Sequence, residues 1–295
     1  MKVLVVEDDE PSRNYLKDTL LSQGHETYVA ENGWYGLEAF KKHNPNLVLS
    51  DIRMPKMDGL KLLEEIRKLS RSVIVVMTTA YGCEEYALKA LRLRANNYIK
   101  KPLRHMELLP LLKKYAAIID GNKQQDKTSD QEKKANFTLE IENNFEKISE
   151  SVTFLMFIMG NVLEETDKLD VRLGLIELLT NAIEHGNLGI KREEKLNAME
   201  QGQESLKELY NQRMVSPRLA SRKVKIEYKL NDTSAEWIVT DEGQGFDWKS
   251  FLKRLETNPL QMESKGLLIC KYHFDSLEFL NSGNQVRVRK LRSLK

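Results

Sequence analysis

The chain has 295 residues, 31% of them charged and 41% hydrophobic, with a formal net charge of +2 at pH 7. That is the composition of a globular chain long enough for more than one ordinary core. A charge so near zero builds no strong field and argues against nucleic acid as a partner. Cys83 and Cys270 lack the spacing of a disulfide framework or a zinc site. The apolar run at residues 154–159 is far shorter than the ~20 residues of a membrane helix, and no signal peptide precedes it. A cytoplasmic protein with no membrane partner is expected.

In chain order, residues 1–6 read as a short buried strand that ends in Glu7, Asp8 and Asp9. Residues 47–50 form another, ending in Asp51; residues 73–77 form a third, ending in Thr78 and Thr79; Tyr98 to Lys101, followed by Pro102, closes a fourth. Hydrophobic strands that alternate with helix-period segments indicate an α/β fold with a parallel, doubly wound sheet, whose sites form at the strands' carboxyl ends. Crowded carboxylates repel one another, so their joint ionisation favours a bound cation, and oxygen ligands of this kind suit Mg²⁺. A carboxylate beside such a cation can attack a phosphoryl group and become an acyl phosphate. Taken singly, an aspartate at a strand end caps a helix and Lys-Pro marks a turn. Asp9 reads as a plain helix cap or an extra acid of the pocket, and Lys100 as solvated surface.

Together these positions resemble the response-regulator receiver domain, of flavodoxin-like fold, over residues 1–119. The resemblance implies that Asp51 is the phospho-acceptor, Asp8 a direct metal ligand and Glu7 the outer acidic partner. Arg53 would offer its backbone carbonyl to Mg²⁺. Thr79 matches the switch hydroxyl, Tyr98 the switch aromatic, and Lys101 the lysine that pairs with the phosphoryl group. A cognate histidine kinase or phosphotransfer protein is the implied donor, and a phosphorylation-dependent homodimer is an implied response.

Residues 120–136 hold almost no apolar side chain and mix both signs of charge, so they should form a linker, flexible or partly helical. A second domain then runs over 137–295. Residues 137–141 alternate as a strand, and helices are expected at about 145–165 and 168–187. In the latter, Leu169, Leu173, Ile176 and Ile183 recur at helical spacing and should pack on a sheet. Glu177 and Asn181 lie four residues apart, about 40° around the helix axis, so both can point into one cleft. His185, a turn further, reads as a helix-end residue capping carbonyls rather than as a cleft residue. Residues 191–214 are polar with apolar residues at helical spacing. They should form an inserted helix or helical pair, either a partner-docking surface or a solvated flap.

Strands at about 222–230, 234–241, 275–281 and 285–291 complete an α/β sandwich. Asp241 stands at a strand end before Gly243 and Gly245, where the backbone can turn sharply and approach a flat ligand while the carboxylate accepts from an exocyclic amine. Residues 246–265, polar and holding Pro259, read as a mobile lid. A helix should begin at Ser264, Lys265 and Gly266, its amides facing phosphate. The basic run at 287–295, with Val286 and Val288 interleaved, reads as a strand with one buried and one solvated face.

In this order the two motifs resemble the GHKL (Bergerat-type, histidine-kinase-like) ATP-binding fold, and over residues 137–292 most closely its anti-sigma-factor serine kinases. The resemblance implies that Asn181 reaches the Mg²⁺ on ATP and that Glu177 is the base toward a serine or threonine hydroxyl. Asp241 would read the adenine amine, with Gly243 and Gly245 shaping the base pocket and Gly266 on the phosphate side. Ser264 and Lys265 depart from the glycine and arginine usual there, which leaves lid closure open. Residues 120–165 contain no histidine, which removes the simplest histidine-kinase reading. The expected function is a response regulator whose Asp51 phosphorylation controls an ATP-dependent serine/threonine kinase, with an anti-sigma-factor antagonist-type protein or a sigma factor as partner. The alternatives are a non-catalytic module that sequesters a partner, and an unconventional histidine kinase.

Overall fold

The computed structural model describes residues 1–80, 84–125, 136–257 and 265–292. Cys83, most of the expected linker, Pro259, Ser264 and the last residues of the basic run lie outside them. The chain divides into two units, Met1–Asp120 and Gly121–Lys295.

The first unit is built on β1 (Lys2–Val6), β2 (Glu26–Ala30), β3 (Leu47–Asp51), β4 (Ile74–Thr79) and β5 (Asn97–Lys100). These strands are all parallel, in the order β2-β1-β3-β4-β5. They alternate with α1 (Glu10–Ser22), α2 (Gly33–His43), α3 (Gly59–Leu69), α4 (Glu84–Arg92) and α5 (His105–Gln125). This is the flavodoxin-like order, and helices on both faces explain why β3 and β4 are buried at every position. The sequence pattern had not marked β2. It is an edge strand with a buried residue only at Ala30, so it carries Glu26, Thr27 and Tyr28 instead of an apolar run. Of the two readings of Asp9 the cap holds: it accepts from the Ser12 amide at the start of α1 at 2.9 Å.

One glycine fixes the floor beneath Asp51. A Cβ on Gly59, at the start of α3, would lie 1.9 Å from the Asp51 carbonyl oxygen, a backbone atom that cannot step aside. Gly59→Ala is therefore expected to cost about 2–3 kcal/mol through overpacking and to lower the receiver's melting midpoint by roughly 10 °C. Calorimetric unfolding measures this, and an unchanged midpoint would disprove the tight approach.

In the second unit an antiparallel sheet holds β6 (Asn136–Glu142), β7 (Lys223–Leu230), β8 (Ser234–Thr240), β9 (Ser276–Leu280) and β10 (Gln285–Leu291), in the order β6-β7-β8-β10-β9. The helices are α6 (Glu146–Met159), α7 (Glu165–Asn181), α8 (Arg192–Gln201), α9 (Gln203–Met214), α10 (Pro217–Ala220), α11 (Trp248–Thr257) and α12 (Lys265–His273). Gly160, at φ +62°, ends α6 earlier than the apolar pattern suggested. Beyond Asn181 the helix widens into a π-helical segment, Ala182–Asn187, in which the Leu188 amide bonds to the Ile183 carbonyl at 2.9 Å.

Helix α7 packs against α6 and α12, and residues 169–179 are all buried except Glu177. A helix buried on nearly all sides has little amphipathic signal, so its stripe of Leu169, Leu173 and Ile176 understated its contacts. One departure from the sequence reading and one buried charge follow from distant partners. The first half of the expected lid is α11, an amphipathic helix that buries Phe251 and Leu255 and is capped by Asp247. The basic C-terminal run does form β10, but Lys290 is buried: its Nζ lies 3.2 Å from Asp167 and 3.5 Å from Asp170 and donates to the His273 carbonyl. His273 Nδ1 in turn lies 3.0 Å from Asp170. Burial of these charges is tolerable because each is paired. Among the described residues no helix is long and apolar enough to cross a membrane.

Candidate functional site

Each unit carries a cluster at its strand ends. In the first, one carboxylate oxygen each from Glu7, Asp8 and Asp51 lie within 4.8 Å of one another. Glu7 and Asp51 are buried and Asp8 is exposed, so the cluster opens to solvent on one side. Lys101 Nζ donates to Glu7 at 2.7 Å and to Asp51 Oδ2 at 2.5 Å, while the Arg53 amide donates to Asp51 Oδ1 at 3.3 Å.

Burial pushes the Glu7 carboxyl up to about 6; the bond from Lys101 pulls it down, and the charges of Asp51 and Asp8 push it up again. Burial by itself would lower the Lys101 pKa, but its bonds to Asp51 and Glu7 outweigh this and hold the ammonium above its ordinary value. Glu7 Oε2 is buried with no hydrogen-bond partner. Three crowded carboxylates, one with an orphaned oxygen, fit a hard divalent cation.

Thr79 is buried, its hydroxyl donating to the Ala80 carbonyl at 3.4 Å. Tyr98 is buried on β5. The Arg53 guanidinium stacks over Tyr86 at 4.8 Å from the ring centre, and both line a hollow of about 400 Å³ with Asp8 and Asp58.

In the second unit a cleft of about 450 Å³ is lined by Glu177, Asn181, His185, Asp241, Gly245 and Gly266 among others, a volume within the range of small-molecule sites. The structure thus brings together the two motifs that lie some sixty residues apart in sequence. The residues of the turn after α7 position Asp241. A Cβ on Gly186 would lie 2.3 Å from Asp241 Cγ, so the carboxylate rests directly on that backbone. The Gly243 amide donates to Asp241 Oδ1 at 2.8 Å. Burial raises the Asp241 carboxyl to about 6 against the pull of that bond.

Asn187, to which the sequence reading gave no role, is fully buried and holds the loop to the helix. Its Oδ1 accepts from the Glu242 amide and its Nδ2 donates to Asn143, both at 2.8 Å, and its carbonyl accepts from Arg222 at 2.7 Å. Gly245 has φ +77°, and a Cβ there would meet the Ser282 carbonyl at 2.1 Å, so only glycine fits. Gly243 does not line the cleft; it packs on the Gly186 carbonyl beneath Asp241. On the other side, a Cβ on Gly266 would lie 1.9 Å from Glu177 Oε1, so the first turn of α12 abuts that carboxylate. His185 caps a carbonyl, Ile190 O at 2.7 Å, and lines the cleft as well.

The inserted segment is a pair of helices, α8 and α9, largely exposed but with one side of α8 turned to the cleft. Arg192, Lys195, Leu196 and Met199 of α8 line the cleft. The buried Glu184 anchors both helices, accepting from Lys195 Nζ and from the Tyr210 hydroxyl, each at 2.6 Å. Burial and the Glu184 charge push the Tyr210 hydroxyl well above its ordinary value. Arg213 of α9 pairs with Glu194 of α8 at 2.5 Å. Nothing in the local sequence marked Glu184, which stands among other polar residues, Asn181, His185 and Asn187.

A model of the response regulator receiver domain matches residues 3–113. Chemotaxis protein CheY of Bacillus subtilis (strain 168) is 34% identical over 114 residues, which cover 38% of this chain and 95% of the relative. The chain belongs to the response regulators. The second unit of this response regulator is matched over residues 153–290 by a model of the histidine kinase-like ATPase domain, a family that implies ATP binding. The glycine-lined cleft with its half-buried aspartate fits an adenine nucleotide. Regulatory protein AtoC of Escherichia coli (strain K12) is 42% identical over 101 residues, which are 34% of this chain. The response regulator spans only 22% of AtoC, so the likeness is confined to the receiver. A response regulator receiver domain protein from Clostridium thermocellum has a solved structure with 27% identity, covering 42% of this chain and 97% of that one at a TM-score of 0.39.

Proposed function

We propose that phosphorylation of Asp51 controls an ATP-dependent serine/threonine protein kinase of the anti-sigma-factor type, working in a cytoplasmic partner-switching pathway. One observation carries the reading: Glu177 shares the cleft with Asn181 and meets the first turn of α12 at Gly266. Placed there, the Glu177 carboxylate would take the proton of an incoming serine or threonine hydroxyl as its oxygen bonds to the γ-phosphorus and ADP leaves. The Asn181 side-chain oxygen would hold Mg²⁺ on the phosphates, and Asp241 would accept from the adenine amine. Gly245 and Gly266 would allow the close approach, and Gly243 would seat the Asp241 carboxylate. Bound Mg²⁺ would supply charge neutralisation at the phosphoryl oxygens.

In the receiver, Asp51 would be the nucleophile toward a phosphoryl group from a cognate histidine kinase or phosphotransfer protein. Glu7, Asp8, Asp51 and the Arg53 carbonyl would hold Mg²⁺, and Lys101 would pair with the new phosphoryl oxygens. Thr79 and Tyr98 would register the change, with a homodimer as one response. The downstream partner would be an anti-sigma-factor antagonist-type protein or a sigma factor.

Glu177→Gln tests the kinase step. ATP affinity should stay within about twofold, because the change is isosteric, while transfer to an antagonist-type protein from the same cell should fall by ~10² or more. Undiminished transfer would remove Glu177 as the base. A second reading, partner capture without transfer, is favoured by Ser264 and Lys265 standing where relatives carry glycine and arginine. It would be established by ATP-dependent capture of that partner, unchanged in Glu177→Gln, with no transfer by the wild type.

A further inference from the structure

Helix α8 has almost no core of its own. Ala198 is its one buried residue among those described, and Leu196 leaves 45% of its surface open. Yet Arg192, Lys195, Leu196 and Met199, spaced i, i+3, i+4 and i+7, form one stripe, and that stripe faces the cleft. The helix is fixed in this position by the buried Glu184, with Lys195 and Tyr210 as its partners.

The charges in the stripe differ in what they are free to do. Lys195 is committed to Glu184 at 2.6 Å. The Arg192 side chain makes no hydrogen bond or ion pair among the described residues. The cleft's other charged side chains include two carboxylates, Glu177 and Asp241, which would repel a polyanion. A guanidinium offers paired donors that match phosphate oxygens, and apolar side chains suit the faces of a base and ribose.

We infer that the α8–α9 hairpin is a nucleotide-binding wall of the cleft, with Arg192 directed at the phosphate chain and Leu196 and Met199 covering the nucleoside. The inference rests on the reading of the cleft as an ATP site. It assigns the hairpin a ligand contact in place of the docking or flap roles open to it from sequence.

Calorimetric titration of the full chain with ATP and Mg²⁺, and separately with adenosine, tests it. Arg192→Gln should weaken ATP about tenfold and leave adenosine unchanged. Leu196→Ser should weaken both ligands alike, by about three- to tenfold. Asp241→Ala serves as the reference for the cleft. If ATP binding is lost in Asp241→Ala but untouched by Arg192→Gln and Leu196→Ser, the inference falls while the ATP reading stands. If Arg192→Gln weakens ATP and adenosine equally, the phosphate contact is wrong. If the wild type binds no ATP, the underlying reading falls and takes the inference with it.

Discussion

Asp51→Asn is expected to abolish phosphorylation of the receiver by acetyl phosphate with Mg²⁺. The amide is isosteric but neutral, so it removes the nucleophile and one of three carboxylates in the cluster, leaving Lys101 to its bond with Glu7. An uncharged amide oxygen cannot form a stable acyl phosphate. Intact-protein mass spectrometry reads the result directly: the wild type should gain one phosphoryl group and the variant none. An equal gain in the variant would place the acceptor elsewhere. The fold should survive, because the Asp51 backbone contact with Gly59 is untouched.

Asp241→Ala should have the second large effect, on nucleotide binding. Removing a charged acceptor from a half-buried bond costs about 1.5–3 kcal/mol, roughly 10- to 150-fold in affinity. The same carboxylate predicts two opposite pH trends. Its pKa is raised to about 6 by burial, so the folded protein holds its proton more tightly than the unfolded chain does. Stability of the second unit is therefore greater at low pH and declines as pH rises from about 4 to about 6. Adenosine binding should run the other way, since the amine needs an ionised acceptor: constant above pH 7 and weaker below about 6. In Asp241→Asn both trends should flatten. A wild-type adenosine affinity that stays level down to pH 5 would exclude an ionised Asp241 as the base-reading group.

Much of this was readable from sequence because the chemistry sits at strand ends and on one helical turn. Asp8, Asp51, Thr79 and Lys101 each follow an apolar run, and Glu177 and Asn181 are related by local helix geometry alone. What escaped the sequence depended on partners far along the chain. Strand β2 is an edge and lacks an apolar run. The partners of Lys290 could not be read locally, because Asp167 and Asp170 lie more than a hundred residues earlier. Trp248, Phe251, Leu252 and Leu255 do recur at helical spacing, but the polar residues among them suggested a lid. The value of α8 became visible only once Glu184 was seen to hold it against the cleft.

The π-helical segment after Asn181 carries more residues per turn than the helix before it. Its extra residue brings Gly186 under Asp241 and Asn187 onto the Glu242 amide. Removing one residue there and restoring an α-helical course would swing everything beyond by about 100°. Asp241 would lose its seat and Asn143 its partner, although no residue of either motif had changed. This stretch is therefore constrained in its count of residues as much as in their identity, and length variation in it would damage the cleft more than many substitutions along its walls.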